Sequence, residues 1–302
     1  MITTLTLNPV FDVHVNIESF RYGKENLADS RISDIGGKGI NITRVLRTAG
    51  VDSRAILALP RENGAAFLSA LKAEGIEPTI IECDGSIREN ITIHEANGTE
   101  TRLCFKGFVA KPELLSKAEA LIDAGGIVAF SGSLPVGINA ADTEAFLTRL
   151  RERGGKLVVD SKSVTLDMLR RIKPWLIKPN GEECEEYFGE LDEEGLCRAA
   201  LRLNADGIEN VMISLGGDGA MLATNGKIYR ARVPKTEVLS TIGAGDSTVS
   251  GFIAADGKAP EEQLRIAVSF GTAACLVSGT KPPKSEDVKR IYDAVTVAKI
   301  TL

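Results

Sequence analysis

The chain has 302 residues, 43% of them hydrophobic and 25% charged, which is enough apolar material for a sizeable α/β core. A net charge of −5 without any strong basic run makes nucleic acid and acidic membrane surfaces poor partners. Five scattered cysteines with no CxxC, two histidines, no basic stretch ahead of an apolar N-terminus and no uncharged run long enough to span a bilayer argue against a disulfide framework, a zinc site, a signal peptide and a transmembrane helix, and predict a soluble cytoplasmic protein.

In chain order, "ITTLTL" at the N-terminus predicts a strand. Residues 10–33 are strand-like and polar, without a helical period. Residues 38–49 predict a helix, with Gly50 as its stop. "RAILAL" predicts a strand, and "AAFLSALKAEG" a helix ending at Gly75. Residues 89–105 hold two alternating stretches around Ala96-Asn97-Gly98-Thr99, a strong hairpin signal. Strands follow at "GIVAFSGS", "KLVVDS", "WLIKPN" and "NVMISLGG", with helical stretches between them. Alternating strand and helix predicts a doubly wound, mostly parallel sheet with helices on both faces. The two antiparallel inserts, at about 10–33 and 86–107, predict a small separate β lid on one domain spanning residues 1–302. Ligands of such sheets sit beyond the carboxyl ends of the strands, where a lid would exclude water.

Four clusters fall at predicted strand ends or helix starts. In "DIGGKGINITRVL", two glycines precede Lys38 and Asn41 follows. Close backbone approach to a polar ligand and a tight turn with a solvated lysine are both compatible with it, but the spacing is not that of a Walker A loop. In "IKPNGEECEEYF", Lys178 and Asn180 end a strand and Glu183 lies in the first turn of the next helix. Asn180 and Glu183 suit either a hydrated Mg²⁺ or a capping box. "SLGGDGA" offers Ser214, Gly216, Gly217 and Gly219 as a backbone cradle for nucleotide phosphates, or a plain turn. In "STIGAGDSTVSGFI", Gly243, Ala244 and Gly245 precede an apolar helical run and could present N–H groups to an anion. Asp246 would then be a partly buried base beside an anion hole, accepting the proton of an attacking hydroxyl; the bland alternative is a first-turn acid on the helix dipole.

Together with "TLTLNPVFD", "SGSLPVG" and "VVDSK", these clusters occur in an order that resembles the ribokinase-like (PfkB) carbohydrate kinases, specifically the branch acting on hexose phosphates, over essentially the whole chain. The resemblance implies transfer of the γ-phosphoryl group of ATP, with Mg²⁺, to a sugar hydroxyl. It implies Asp246 as catalytic base, Gly243, Ala244 and Gly245 as the anion hole, and Asn180 and Glu183 on the Mg²⁺ and phosphate side. Lys178, Asn180, Ser214, Gly216, Gly217 and Gly219 would contact ATP. Asp12, Gly37, Lys38, Asn41 and Ser131 would contact the sugar. Lys24, Lys38, Arg88 and Arg102 match basic positions that hold the phosphate already on the acceptor, as Arg–phosphate chemistry favours. The implied acceptor is a ketohexose monophosphate, fructose 1-phosphate first, with tagatose 6-phosphate and fructose 6-phosphate as alternatives. The chain departs from the pattern at Ile87, Val10 and Phe11, all near the expected sugar pocket. A non-catalytic sensor on the same fold would be expected to lack the aspartate, which is present. Exposed lid edges can pair, which suggests a homodimer through the lid.

Overall fold

The computed structural model describes residues 1–301. Its centre is a ten-stranded sheet. Seven strands run parallel, in spatial order β5 (Thr79–Cys83), β4 (Arg54–Pro60), β1 (Ile2–Thr6), β8 (Ile127–Ser131), β9 (Lys156–Asp160), β10 (Leu176–Ile177) and β11 (Asn210–Ser214). The antiparallel β12 (Ala220–Thr224), β13 (Lys227–Arg232) and β14 (Thr296–Ile300) extend the β11 edge. The fold is the expected doubly wound α/β sheet.

The central strands are buried on both faces, and their two-residue period distributes each apolar run between two cores. Leu157 and Val159 of β9 pack with Leu114, Phe146, Leu147 and Leu203, from α3 (Glu113–Ala120), α4 (Ala140–Glu152) and α7 (Glu193–Ala205). Val158, between them, faces the opposite core with Ile42, Val249, Phe252 and Leu264. Those residues come from α1 (Lys38–Thr48), α8 (Ala244–Ala254) and α9 (Pro260–Ala274). The remaining helices are α2 (Gly64–Ala73), α5 (Leu166–Ile172), α6 (Gly181–Phe188) and α10 (Ser285–Ala294).

The WLIKPN strand is shorter than the sequence suggests. β10 pairs only through Leu176 and Ile177, because Pro179 has no N–H to donate and turns the chain toward α6. The contact with β11 resumes at an isolated bridge between Asn180 and Ser214.

The two inserts build a four-stranded sheet in the order β3 (Ser30–Gly36), β2 (Val10–Ile17), β6 (Arg88–Glu95) and β7 (Glu100–Cys104). The outer pairs are antiparallel, but β2 and β6 pair in parallel and join the two inserts into one mixed sheet. The Asn97-Gly98 turn forms as the sequence predicts, with Gly98 at φ 87°, Gly98 N–H on Glu95 O and Glu95 N–H on Thr99 O.

All five cysteines are free. No helix among the described residues is long and apolar enough to cross a membrane.

Candidate active site

The carboxyl ends of β1, β8, β9 and β10 meet the N-termini of α1 and α8 around a cavity of about 400 Å³, roofed by the four-stranded sheet. Its lining brings together Asp12, Gly37, Lys38, Asn41, Arg88, Arg102, Ser131, Lys178, Asn180, Glu183, Gly243, Gly245 and Asp246. These come from distant parts of the chain.

The GGKG turn explains how two walls approach. A methyl on Gly36 would lie 2.3 Å from Asp12 Oδ2, and one on Gly39 would lie 2.3 Å from Leu5 O. Only bare backbone lets the lid carboxylate and the start of α1 come this close to each other and to β1.

On the opposite wall, Gly243 caps α8 with φ 80°, a left-handed conformation that suits glycine. Asp246 follows in the first turn of α8 and is only 5% exposed. Asn41 Nδ2 donates to Asp246 Oδ2 at 2.8 Å. Burial pushes the Asp246 carboxyl up to about 6; Lys38, Lys178 and the Asn41 hydrogen bond pull it down, and the neighbouring Asp160 adds to the rise. The site thus holds a carboxylate whose basicity is raised toward neutrality, as general base chemistry requires.

Asp160, at the end of β9, is the group that composition and spacing did not single out, although it sits inside the VVDSK stretch. Its carboxylate lies between two ammonium groups, Lys38 Nζ at 2.8 Å and Lys178 Nζ at 3.8 Å. Burial opposes its charge, but Lys178 and Lys38 outweigh that and hold it below the usual carboxylate range. In turn, burial disfavours the Lys38 charge, while Asp160 and Asp246 more than restore it. Lys178 is buried and its Nζ lies against Gly245, so its charge is delivered to the start of α8. Alternating charges in the order Asp246, Lys38, Asp160 and Lys178 therefore line the cavity floor.

Asn180 and Glu183 form a full capping box at the start of α6. Asn180 Oδ1 accepts from Glu183 N–H at 2.8 Å, and Glu183 Oε2 accepts from Asn180 N–H at 3.1 Å. Both residues still line the cavity, so capping and ligand contact are not exclusive here.

On the lid side, Arg88 Nη1 donates to Phe105 O at 2.9 Å, while its Nε is buried without a partner. Burial lowers its affinity for a proton, partly offset by Asp12. Arg102 is exposed, and its guanidinium has no hydrogen bond or ion pair among the described residues. Ser131 Oγ and Thr6 Oγ1 are also buried, unpartnered and at the cavity wall.

Several expected residues lie elsewhere. Lys24 is exposed in the loop between β2 and β3 and does not line the cavity. Ala244 is not in the lining; its N–H donates to Thr241 O at 3.3 Å. Ser214 forms a bridge with Asn180, and Gly216 and Gly217 lie in a short 3-10 turn that Gly219 caps; none of the four lines the cavity. Of the departures, Ile87 is buried in the core with Phe67, and Phe11 packs edge-on against Phe67 at 5.6 Å. Val10 alone of the three reaches the cavity.

An activated carboxylate at a helix start, with two lysines beside it and a lid above, is an arrangement suited to transferring a phosphoryl group to a hydroxyl. The comparisons agree with that class. The pfkB family carbohydrate kinase pattern matches residues 6–287, and the chain belongs to that family, whose members use ATP. It is 33% identical to the 1-phosphofructokinase of Bacillus subtilis over 310 residues, covering 99% of this chain and 100% of the relative. It is also 33% identical to the 1-phosphofructokinase of Haemophilus influenzae, covering 92% of this chain and 91% of the relative. Among solved structures, the Phosphofructokinase-2 of Escherichia coli in complex with potassium superposes with a TM-score of 0.90 at 26% identity, over 97% of this chain and 98% of that one.

Proposed function

We propose that this kinase transfers the γ-phosphoryl group of ATP to a hydroxyl of a ketohexose monophosphate, with fructose 1-phosphate converted to fructose 1,6-bisphosphate. The observation that carries the reading is Asp246: buried, raised to about 6, and sharing one cavity with the lid cations Arg88 and Arg102. A neutral sugar gives no reason for those cations; a phosphate on the acceptor does. Full-length similarity to relatives named 1-phosphofructokinase favours fructose 1-phosphate over tagatose 6-phosphate and fructose 6-phosphate.

In this reading Asp246 accepts the proton of the attacking hydroxyl as its oxygen bonds to the γ-phosphorus and the bond to the ADP oxygen breaks. Asp12 and Ser131 orient the sugar, and the Gly243 and Gly245 amides face the transferring group. Lys178 supplies positive charge on the ATP side, with Ser214 and the 216–219 turn flanking the nucleotide. Arg88 and Arg102, both in the cavity lining, hold the acceptor phosphate, and closure of the β lid excludes water.

Mg²⁺ fits as a hydrated ion brought in with ATP. No group of three or more metal-ligating side chains exists among the described residues. One Glu183 oxygen is taken by the cap, leaving the other to accept from a metal-bound water. When bound, such an ion offsets charge on the phosphates.

The exposed apolar side chains Ile32, Leu103 and Phe105 on the outer lid strands and their flank support a homodimer through the lid. The free thiols support a cytoplasmic setting. The test of the base is Asp246→Asn, which should lower kcat about 100-fold or more with both substrates still bound. A kcat within a few-fold of wild type would remove Asp246 from the chemistry.

A further inference from the structure

Asn41 can act on Asp246 in two opposite ways. Its amide carries an acceptor at one end and a donor at the other, and rotation about the last side-chain bond exchanges them. With the NH₂ toward Asp246 it stabilises the carboxylate and holds one oxygen in place. With the oxygen toward Asp246 it repels the carboxylate. Nothing within Asn41 itself selects between the two.

The selection comes from the residue one helical turn later. Arg44 Nη1 donates to Asn41 Oδ1 at 3.0 Å. A guanidinium has donors only, so it can accept no hydrogen bond from the amide, and the NH₂ must point away from it, toward Asp246. Arg44 is itself fixed. Nη1 and Nη2 both donate to Ile35 O at 3.1 Å, and the side chain is only 9% exposed. Its Nε and Nη2 form a two-pronged pair with Glu74 at 2.7 and 2.8 Å. Glu74 caps α2 on the far side of α1 and is 39% exposed. A continuous relay thus runs from Glu74 through Arg44 and Asn41 to Asp246, and only its last member lies in the first turn of α8.

We propose that Arg44 is a positioning residue for the reaction: held by Glu74 and Ile35, it orients the Asn41 amide so that the Asp246 carboxylate is gripped by one oxygen and offers the other to the substrate hydroxyl. Arg44 does not line the cavity and has no contact with either substrate in this account. The proposal rests on the role assigned above to Asp246.

The test measures kcat, KM for ATP and for fructose 1-phosphate, and the pH dependence of kcat for Arg44→Met, Arg44→Lys and Glu74→Gln. Arg44→Met should lower kcat about tenfold while both KM values stay within about threefold, as for loss of an outer partner that orients a working group. The groups facing the Asp246 carboxylate are Lys38 and Asn41 from α1, Asp160 from β9 and Lys178 after β10. With these unchanged except for the amide, loss of a donor to the ionised form should move the acid limb of kcat up by about one pH unit. Arg44→Lys should recover part of both effects, since one ammonium can still donate to Oδ1. A merely structural arginine would lower the amount of folded enzyme and leave the limb where it was. An unmoved limb with kcat within twofold of wild type in folded Arg44→Met overturns the proposal. Should Arg44→Met not fold, Glu74→Gln decides, with a smaller shift in the same direction supporting it and no shift overturning it. Asp246→Asn, run alongside, separates the two readings. If it is inactive while Arg44→Met is silent, only the role of Arg44 falls; if it keeps wild-type kcat, both fall.

Discussion

Removing the carboxylate that works should make the protein more stable. Asp246 stands at about 6 in the folded chain against an ordinary value of 3.8, because it is buried at the end of an apolar helix. A carboxyl that binds its proton more tightly when folded favours folding when protonated and opposes it when ionised. At pH 8 it is ionised in both states, and each pH unit between the two values costs ~1.4 kcal/mol, which sums to about 3 kcal/mol. Asp246→Asn keeps the shape without the charge, so it should raise the unfolding free energy at pH 8 by about 2–3 kcal/mol. The gain should fall by about half at pH 5, where the folded wild type already holds the proton. Urea titrations followed by the fluorescence of the single tryptophan, Trp175, which is buried in one core, would read both values. A variant no more stable than wild type at pH 8, or a gain independent of pH, would refute the reasoning that burial raises this group.

Two other substitutions probe the rest of the cavity. Arg88→Ala should raise KM for the phosphorylated sugar about tenfold or more and leave KM for ATP nearly unchanged, since one charge-assisted contact is lost; steady-state kinetics with each substrate varied would show an unchanged sugar KM if Arg88 lies outside the acceptor site. Asp160→Asn removes the carboxylate that raises Asp246 and pairs both lysines, so the acid limb of kcat should move to lower pH, opposite to the Arg44→Met shift. It should also cost about 3 kcal/mol in urea unfolding, the low end for stranding a buried charge, because Lys38 keeps access to water while Lys178 does not.

The fold was legible where the sequence speaks locally. Periods of two and 3.6, the glycines after α1 and α2, and the Asn97-Gly98 turn each mark an element by its own chemistry. What the sequence could not show was long-range pairing. The parallel join of β2 to β6 unites segments more than seventy residues apart, and no local signal announces it. β10 looked like a full strand because its apolar run is continuous, but pairing stops where Pro179 removes a donor.

The site divides in the same way. Motif glycines and Asp246 lie at a helix start that the apolar run reveals. Asp160 was hidden because a carboxylate ending a strand gains its meaning only from Lys38 and Lys178, which arrive from elsewhere in the chain. Arg44 was hidden because a charged residue within a helix usually faces water, whereas here it is drawn inward by Ile35 O and the Asn41 amide. Lys24, a basic residue at a matching sequence position, sits in a loop outside the cavity, a placement that sequence position alone does not reveal.

The most direct measurement is ADP release by the wild-type protein with ATP and Mg²⁺, supplied in parallel with fructose 1-phosphate, tagatose 6-phosphate, fructose 6-phosphate and ribose. The account predicts the highest kcat/KM with fructose 1-phosphate and negligible turnover of ribose. Turnover of ribose alone would contradict the assignment of the lid arginines to an acceptor phosphate, and no turnover of any of the four by folded, ATP-binding protein would contradict the proposed ketohexose-phosphate kinase.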